Sequence, residues 1–385
     1  MPQRPAIGSL TTVLACGLFL GGCTSTPEPL PVQPTTDVKT QPAPTAQPST
    51  TGPPAETTLM PAPVPTESVA VTPAFQELRA TLELFSREKL EEGASAVLIK
   101  AKVGQQEWTL AEGVRSRDGR APVQPGDRFP VGEQYRSFLA VSVMKLVQEG
   151  RVGLEDSVAA YLPGSLTAGS PVTIRDLLGD ARDVYPDAPA AARSDAGSLL
   201  ARLVEQFRGA PLEAVLQTDV LTPLNLRSTE LLAADTAAPD DLIHGYVQLD
   251  GEIVDVAGTG VPDGIATGGL VSSVEDISVF QAALLRGQLI SPTSLIALKG
   301  TVFADYGLGL DHWDDRCTNG FYYGHAGDIP GYGSISLSSA DGNRQLSIFM
   351  AYPPQPVSSQ PSALALEMTG VAQVALNSGC RFQFR

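Results

Sequence analysis

Cysteine is scarce. The chain has four in 385 residues, none in a Cys-x-x-Cys pair or in a His/Cys cluster with metal-ligand spacing, which excludes a disulfide-built scaffold and a structural zinc site. Basic charge is short as well. With 26 Lys and Arg against 42 Asp and Glu the net charge is −16, the wrong sign for a surface that displaces counterions from phosphates, so no nucleic acid is expected as a partner. Beyond the N-terminal segment no apolar run approaches membrane-spanning length. There is no Gly-x-Ser-x-Gly elbow, phosphate-binding loop or metal triad, and no cofactor or metal is expected. What the chain does have is 43% hydrophobic against 18% charged residues, enough for a sizeable core. Its prolines crowd near the N-terminus, which leaves a single folded body of about 300 residues.

Residues 1–22 read as an export signal, with Arg4 as the positive region and Leu10 to Leu20 as an apolar stretch too short to span a membrane. The stretch runs into Leu20-Gly21-Gly22-Cys23, which resembles the lipobox of bacterial lipoproteins. That resemblance implies that Cys23 is diacylated, becomes the first residue after cleavage, and anchors the protein to the outer face of the cell membrane; a plain cleavable signal is the alternative. Residues 23–72 are mostly Pro, Thr, Ala and Ser and cannot offset the entropy of folding. They form a tether that, extended at about 3.1 Å per residue, reaches on the order of 150 Å, into the cell wall.

Residues 73–385 make up the folded domain. Phe75, Leu78, Leu82, Phe85 and Leu90 recur on one helical face, predicting an amphipathic first helix. Ala94 to Val103 and Trp108 to Gly113 predict a hairpin about Gly104-Gln105-Gln106. A long helix is expected after Gly132, carrying Phe138, Val141, Met144, Leu146 and Val147 inward and stopping at Gly150. Further helices fit Val172 to Gly179, Gly197 to Arg208, Ser273 to Leu285, Ser291 to Leu298 and Pro361 to Asn377, with strands at Gly333 to Ser338 and Gln345 to Ala351. Strands at both ends with helices between predict an α+β architecture in which the terminal segments pair.

The order of local phrases then becomes recognisable. Asp127-Arg128-Phe129-Pro130-Val131-Gly132, Leu146 to Val158, Tyr161-Leu162-Pro163-Gly164, Val172 to Leu178, Pro223-Leu224-Asn225-Leu226, Gly268 to Ser273, Tyr306-Gly307-Leu308-Gly309 and Gly324-His325-Ala326-Gly327 with Pro330-Gly331-Tyr332 together resemble the serine β-lactamase-related family. That family takes in class C β-lactamases, D-alanyl-D-alanine carboxypeptidases and related esterases. The resemblance spans residues 73 to 352 and implies a β-lactamase/transpeptidase-like fold, an antiparallel sheet flanked by helices with a helical subdomain.

It also implies where the chemistry belongs. In the family a Ser-x-x-Lys opens the long helix directly after a Phe-x-x-Gly phrase, the serine attacking a carbonyl and the lysine, one turn on, helping to remove its proton. Here those positions read Glu133-Gln134-Tyr135-Arg136: no hydroxyl, and a guanidinium that does not deprotonate. An ion pair between Glu133 and Arg136 at i, i+3 is the structural expectation. Two literal Ser-x-x-Lys strings, Ser86 to Lys89 and Ser142 to Lys145, fall in the first helix and deep in the second and read as chance matches, and Ser137 has no lysine partner. The family's Tyr-x-Asn phrase falls at Ala192-Arg193-Ser194 or one residue later, without the tyrosine, and the segment from Gly179 to Arg193 is short, so a wall of the site is altered. The third phrase survives: His325-Ala326-Gly327 resembles the His/Lys-x-Gly strand that orients a substrate's acyl or carboxylate end, with a purely structural histidine as the alternative. His244 and His312 read as ordinary surface or loop residues.

The expectation is therefore a lipoprotein whose domain has lost serine acyl-transfer chemistry and binds or scaffolds at the cell wall. The ligand-binding residues would be Arg136, Arg193, His325 and Gly327, and the partner peptidoglycan peptides or a cell-wall protein. An active serine hydrolase with a relocated nucleophile is the alternative. Cys317 and Cys380, the only cysteines of the folded part, are expected to form a disulfide in an oxidising compartment.

Overall fold

The structure, a computed structural model, describes residues 70–166, 170–179, 196–232, 238–257, 269–302, 305–358, 361–378 and 380. Contacts divide the chain into two units, Met1–Pro65 and Thr66–Arg385, and the described residues all fall in the second. Cys23 and Arg193 lie outside the described residues, as does most of the shortened segment after Gly179.

Thr72 accepts the N–H of Phe75 and Pro73 supplies a preset first turn, so helix α1 runs Pro73–Glu91. Its buried stripe is Phe75, Leu78, Leu82 and Phe85. The next strands are β1 (Ala96–Val103) and β2 (Gln106–Gly113), and they pair from Val103 opposite Gln106 to Ala96 opposite Gly113. The connection is only two residues long, with Gly104 at φ +63°, so β2 starts two residues earlier than the sequence suggested. After β3 (Phe129–Pro130) comes a single 3-10 turn, Gly132–Gln134, and then α2 (Tyr135–Gln148), buried on nearly every side. A helix apolar all round belongs in the middle of a domain, and α2 is the central helix here.

The remaining strands are β4 (Glu230–Leu231), β5 (Tyr246–Leu249), β6 (Glu252–Asp255), β7 (Leu270–Ser272), β8 (Asp311–Asp315), β9 (Gly320–Ile329), β10 (Tyr332–Ser339), β11 (Arg344–Ala351) and β12 (Gln355–Pro356). Four of these join β1 and β2 in one six-stranded antiparallel sheet in the order β2-β1-β11-β10-β9-β8. The two ends of the domain meet in its centre, with Ala96 opposite Ala351 and Val103 opposite Arg344.

Alternation along β1 divides the core. Val97, Ile99 and Ala101 join a cluster with α1 and the C-terminal helix Ala363–Asn377, while Ala96 and Leu98 join a larger one with α2 and the helices Ala196–Arg208 and Val274–Leu285. Cys317 and Cys380 form a disulfide, Cα to Cα 4.9 Å, that ties the end of that C-terminal helix to the turn between β8 and β9. Closing a loop over a sequence separation of 63 residues removes unfolded-chain entropy worth about 4 kcal/mol.

Candidate functional site

The site is built where the turn before α2 meets β9. Gly132 has φ +58°, and a Cβ there would lie 3.1 Å from the Cα of Gly327. A Cβ on Gly327 would sit 2.2 Å from the Val131 carbonyl oxygen. Glycine at both positions lets the two backbones touch, which places residue 133 beside the His325-Ala326-Gly327 strand. Side chains then lock the turn to the sheet. Gln134 Nε2 donates to Ser334 Oγ (2.6 Å), Ser336 Oγ donates to Gln134 Oε1 (2.7 Å), and Ser334 Oγ donates to the Val131 carbonyl (2.9 Å).

Glu133 Oε2 accepts the backbone N–H of Asp328 at 2.8 Å. This tertiary contact stands where the sequence suggested a local ion pair with Arg136. The Asp328 side chain is itself held, by Tyr352 Oη (3.0 Å) and by the N–H of Ser362, the N-cap of the C-terminal helix (2.5 Å). One turn on, the Arg136 guanidinium acts on Asp311 of β8. Burial pushes the Asp311 carboxyl above its ordinary range, against the pull of His325, the Ala326 N–H and Arg136.

His325 is 5% exposed. Its Nδ1 lies 2.5 Å from the Ala326 carbonyl oxygen, which can only accept, so Nδ1 carries the ring proton. Nε2, which accepts in the neutral ring and donates in the charged one, lies 2.9 Å from Tyr306 Oη, and Asp311 Oδ2 stands 4.0 Å from Nδ1. The structure thus brings together Glu133, Arg136, His325 and Gly327 and adds Gln134, Tyr306, Asp311 and Asp328, which no sequence pattern singled out. Gln134 and Tyr306 lay inside quoted phrases, but Asp311 and Asp328 depend on tertiary contacts.

The three serines weighed as other nucleophiles, Ser137, Ser86 and Ser142, have no lysine beside them. Ser137 Oγ donates to the Gly309 carbonyl (2.7 Å), fixing the Tyr306-Gly307-Leu308-Gly309 loop to α2. Ser86 Oγ donates to Glu112 (2.6 Å) while Lys89 turns to Glu92 and Glu367. Ser142 is fully buried, and Lys145 reaches away from it to the carbonyl of Asp219 (2.7 Å). Neither string makes a serine–lysine pair. His244 contacts Asp255 (2.6 Å), but His312 departs from the sequence reading. It is buried on β8, edge-on to Tyr323 and covered by the backbone at Gly307, and burial lowers its pKa. Among the described residues no group of three His, Cys, Asp or Glu could hold a metal, and no helix is long and apolar enough to cross a membrane.

Known structures share this architecture. The chain is similar to a D-amino acid amidase from Ochrobactrum anthropi SV3 (TM-score 0.64, 18% identity, covering 78% of this chain and 98% of that one). It is similar also to a D-stereospecific amidohydrolase from Streptomyces sp. (TM-score 0.59, 21% identity, 71% and 94%) and to a penicillin binding protein from Bacillus halodurans (TM-score 0.59, 18% identity, 77% and 98%). At these identities the likeness establishes a β-lactamase/transpeptidase-like fold. Residues 87–352 match the Beta-lactamase family, more than half of the chain, and it is to this family of serine-hydrolase-like proteins that the chain belongs.

Proposed function

We propose that the protein is a cell-surface lipoprotein, anchored through Cys23 and carried on its tether, whose β-lactamase-related domain binds at the cell wall without serine acyl transfer. One observation carries this reading: the residue directly after Gly132, set against Gly327, is Glu133, and its carboxylate is already bonded to the Asp328 N–H. A carboxylate held there is no substitute for a hydroxyl nucleophile, and Arg136 keeps its proton and cannot serve as base. The names of the similar structures, an amidase of D-amino acids and a penicillin binding protein, suggest a peptide ending in a D-amino acid as ligand. Arg136, Arg193 and His325 would hold its carboxyl end.

A second reading, a hydrolase with a relocated nucleophile, is favoured by the Tyr306 hydroxyl placed on His325 Nε2 with Asp311 behind it. Turnover of a chromogenic cephalosporin and of a D-Ala-D-Ala peptide separates the two. Neither the wild type nor the double variant Glu133→Ser/Arg136→Lys is expected to turn either over. The restored serine would lack the family's tyrosine, and catalytic groups that act as a unit recover little singly. Wild-type turnover that Tyr306→Phe abolishes would establish the second reading instead.

A further inference from the structure

Strand β9 pairs with β10 from Tyr322 to Ile329, but with β8 only from Gly320 to Gly324. From His325 to Asp328, among the described residues, no strand lies along its other edge. Ala326 and Asp328, two apart, direct their backbone groups to this edge. Such an edge is a template for an extended ligand. Here the protein fills it with its own side chains: Asp311 Oδ2 takes the Ala326 N–H (3.4 Å), His325 Nδ1 takes the Ala326 carbonyl (2.5 Å), and Glu133 Oε2 takes the Asp328 N–H (2.8 Å). The three fillers are not equally fixed. His325 is buried and held by Tyr306, and Asp311, partly exposed, stands 4.0 Å from His325 Nδ1 in the field of Arg136, whereas Glu133, also partly exposed, reaches in from a single 3-10 turn.

We infer that Glu133 is an internal competitor: its carboxylate occupies the Asp328 N–H, the backbone donor through which the open edge of β9 can hold a ligand's carbonyl or carboxylate oxygen, so the edge binds such a ligand only when Glu133 swings away. This rests on the non-catalytic binding reading and adds its regulation. A side chain already bonded to the donor lowers the apparent affinity by the fraction of time the donor is taken. Asp328 is otherwise well placed to serve, because Tyr352 and Ser362 fix its side chain and hold the strand still.

The test uses the full chain as wild type, Glu133→Ala and Glu133→Gln, titrated with N-acetyl-D-alanyl-D-alanine and with its neutral C-terminal amide. Competition requires Glu133→Ala to bind both probes at least tenfold more tightly than wild type. Glu133→Gln keeps an oxygen that can hold the Asp328 N–H and should gain little for the neutral probe. The exchange rate of the Asp328 amide should rise at least tenfold in Glu133→Ala. A gain for the anionic probe alone would mean simple charge repulsion and would overturn the inference. So would equal affinities, no binding by any of the three proteins, or an unchanged Asp328 amide. Thermal melts identify a variant that fails to fold, in which case Glu133→Gln and the wild-type amide decide the matter. Turnover in the same samples reports separately on the non-catalytic reading: hydrolysis by the wild type would end that reading whether or not Glu133 competes.

Discussion

Each polar group at the site is defined by what it touches. Glu133 meets a backbone N–H, His325 a carbonyl and a phenol, and Asp311 a partly buried pocket where burial outweighs the cations near it. The last of these sets a pH dependence. Because burial raises the Asp311 carboxyl above its ordinary range, the folded protein takes up this proton before the unfolded chain does as pH falls. Its contribution to stability therefore grows as pH drops from the folded value toward the unfolded one, near about 4, and is least favourable above both. Asp311→Asn, which keeps an oxygen for the Ala326 N–H, should raise Tm at about pH 7, with the gain shrinking as pH is lowered toward about 4. Calorimetric melts of both proteins across that range check it, and a variant less stable than wild type at neutral pH would contradict the burial argument.

Among the elements, the meeting of the 3-10 turn with β9 holds the site together, and two glycines measure its tightness. Gly327→Ala would drive a Cβ to 2.2 Å from the Val131 carbonyl, a backbone atom that cannot turn aside, and should cost about 1–3 kcal/mol or more. Gly370→Ala, in the middle of the C-terminal helix with nothing within 4 Å of the added Cβ, should instead gain about 0.5–1 kcal/mol. Denaturant melts of the pair check the contrast, and equal effects would mean that the turn and the strand are not packed as described. Strand β9 entered the sequence reading only through the resemblance of His325-Ala326-Gly327, and β8 not at all; the long helices and strands β1, β2, β10 and β11 were readable because their signals are local, as in the stripe of α1 and the stop at Gly150. The short strands β3 to β7 and β12 were not, since two to four residues carry no period and form only by pairing with distant partners. The site divides the same way. Glu133 and His325 stood out because adjoining phrases fix their places, while Asp328 and Asp311 matter only through bonds to residues 195 and 15 positions away.

At the scale of the whole molecule, a chain with net charge −16 is repelled by an anionic membrane surface, so under the proposed function attachment would fall to Cys23. Cys23→Ala should move the protein from the membrane to the soluble fraction with its signal removed, and a processed variant that still sediments with membranes would refute the anchor. The central claim is the loss of covalent serine chemistry from a domain that keeps the family's fold. It is tested most directly by intact-mass measurement after incubating the protein with a broad serine-hydrolase phosphonate probe and, separately, a reporter penicillin. The expected result is the unmodified mass in both samples, because the position beside Gly327 presents the Glu133 carboxylate and the next turn an arginine. A stoichiometric adduct that maps to a serine of the domain would contradict it.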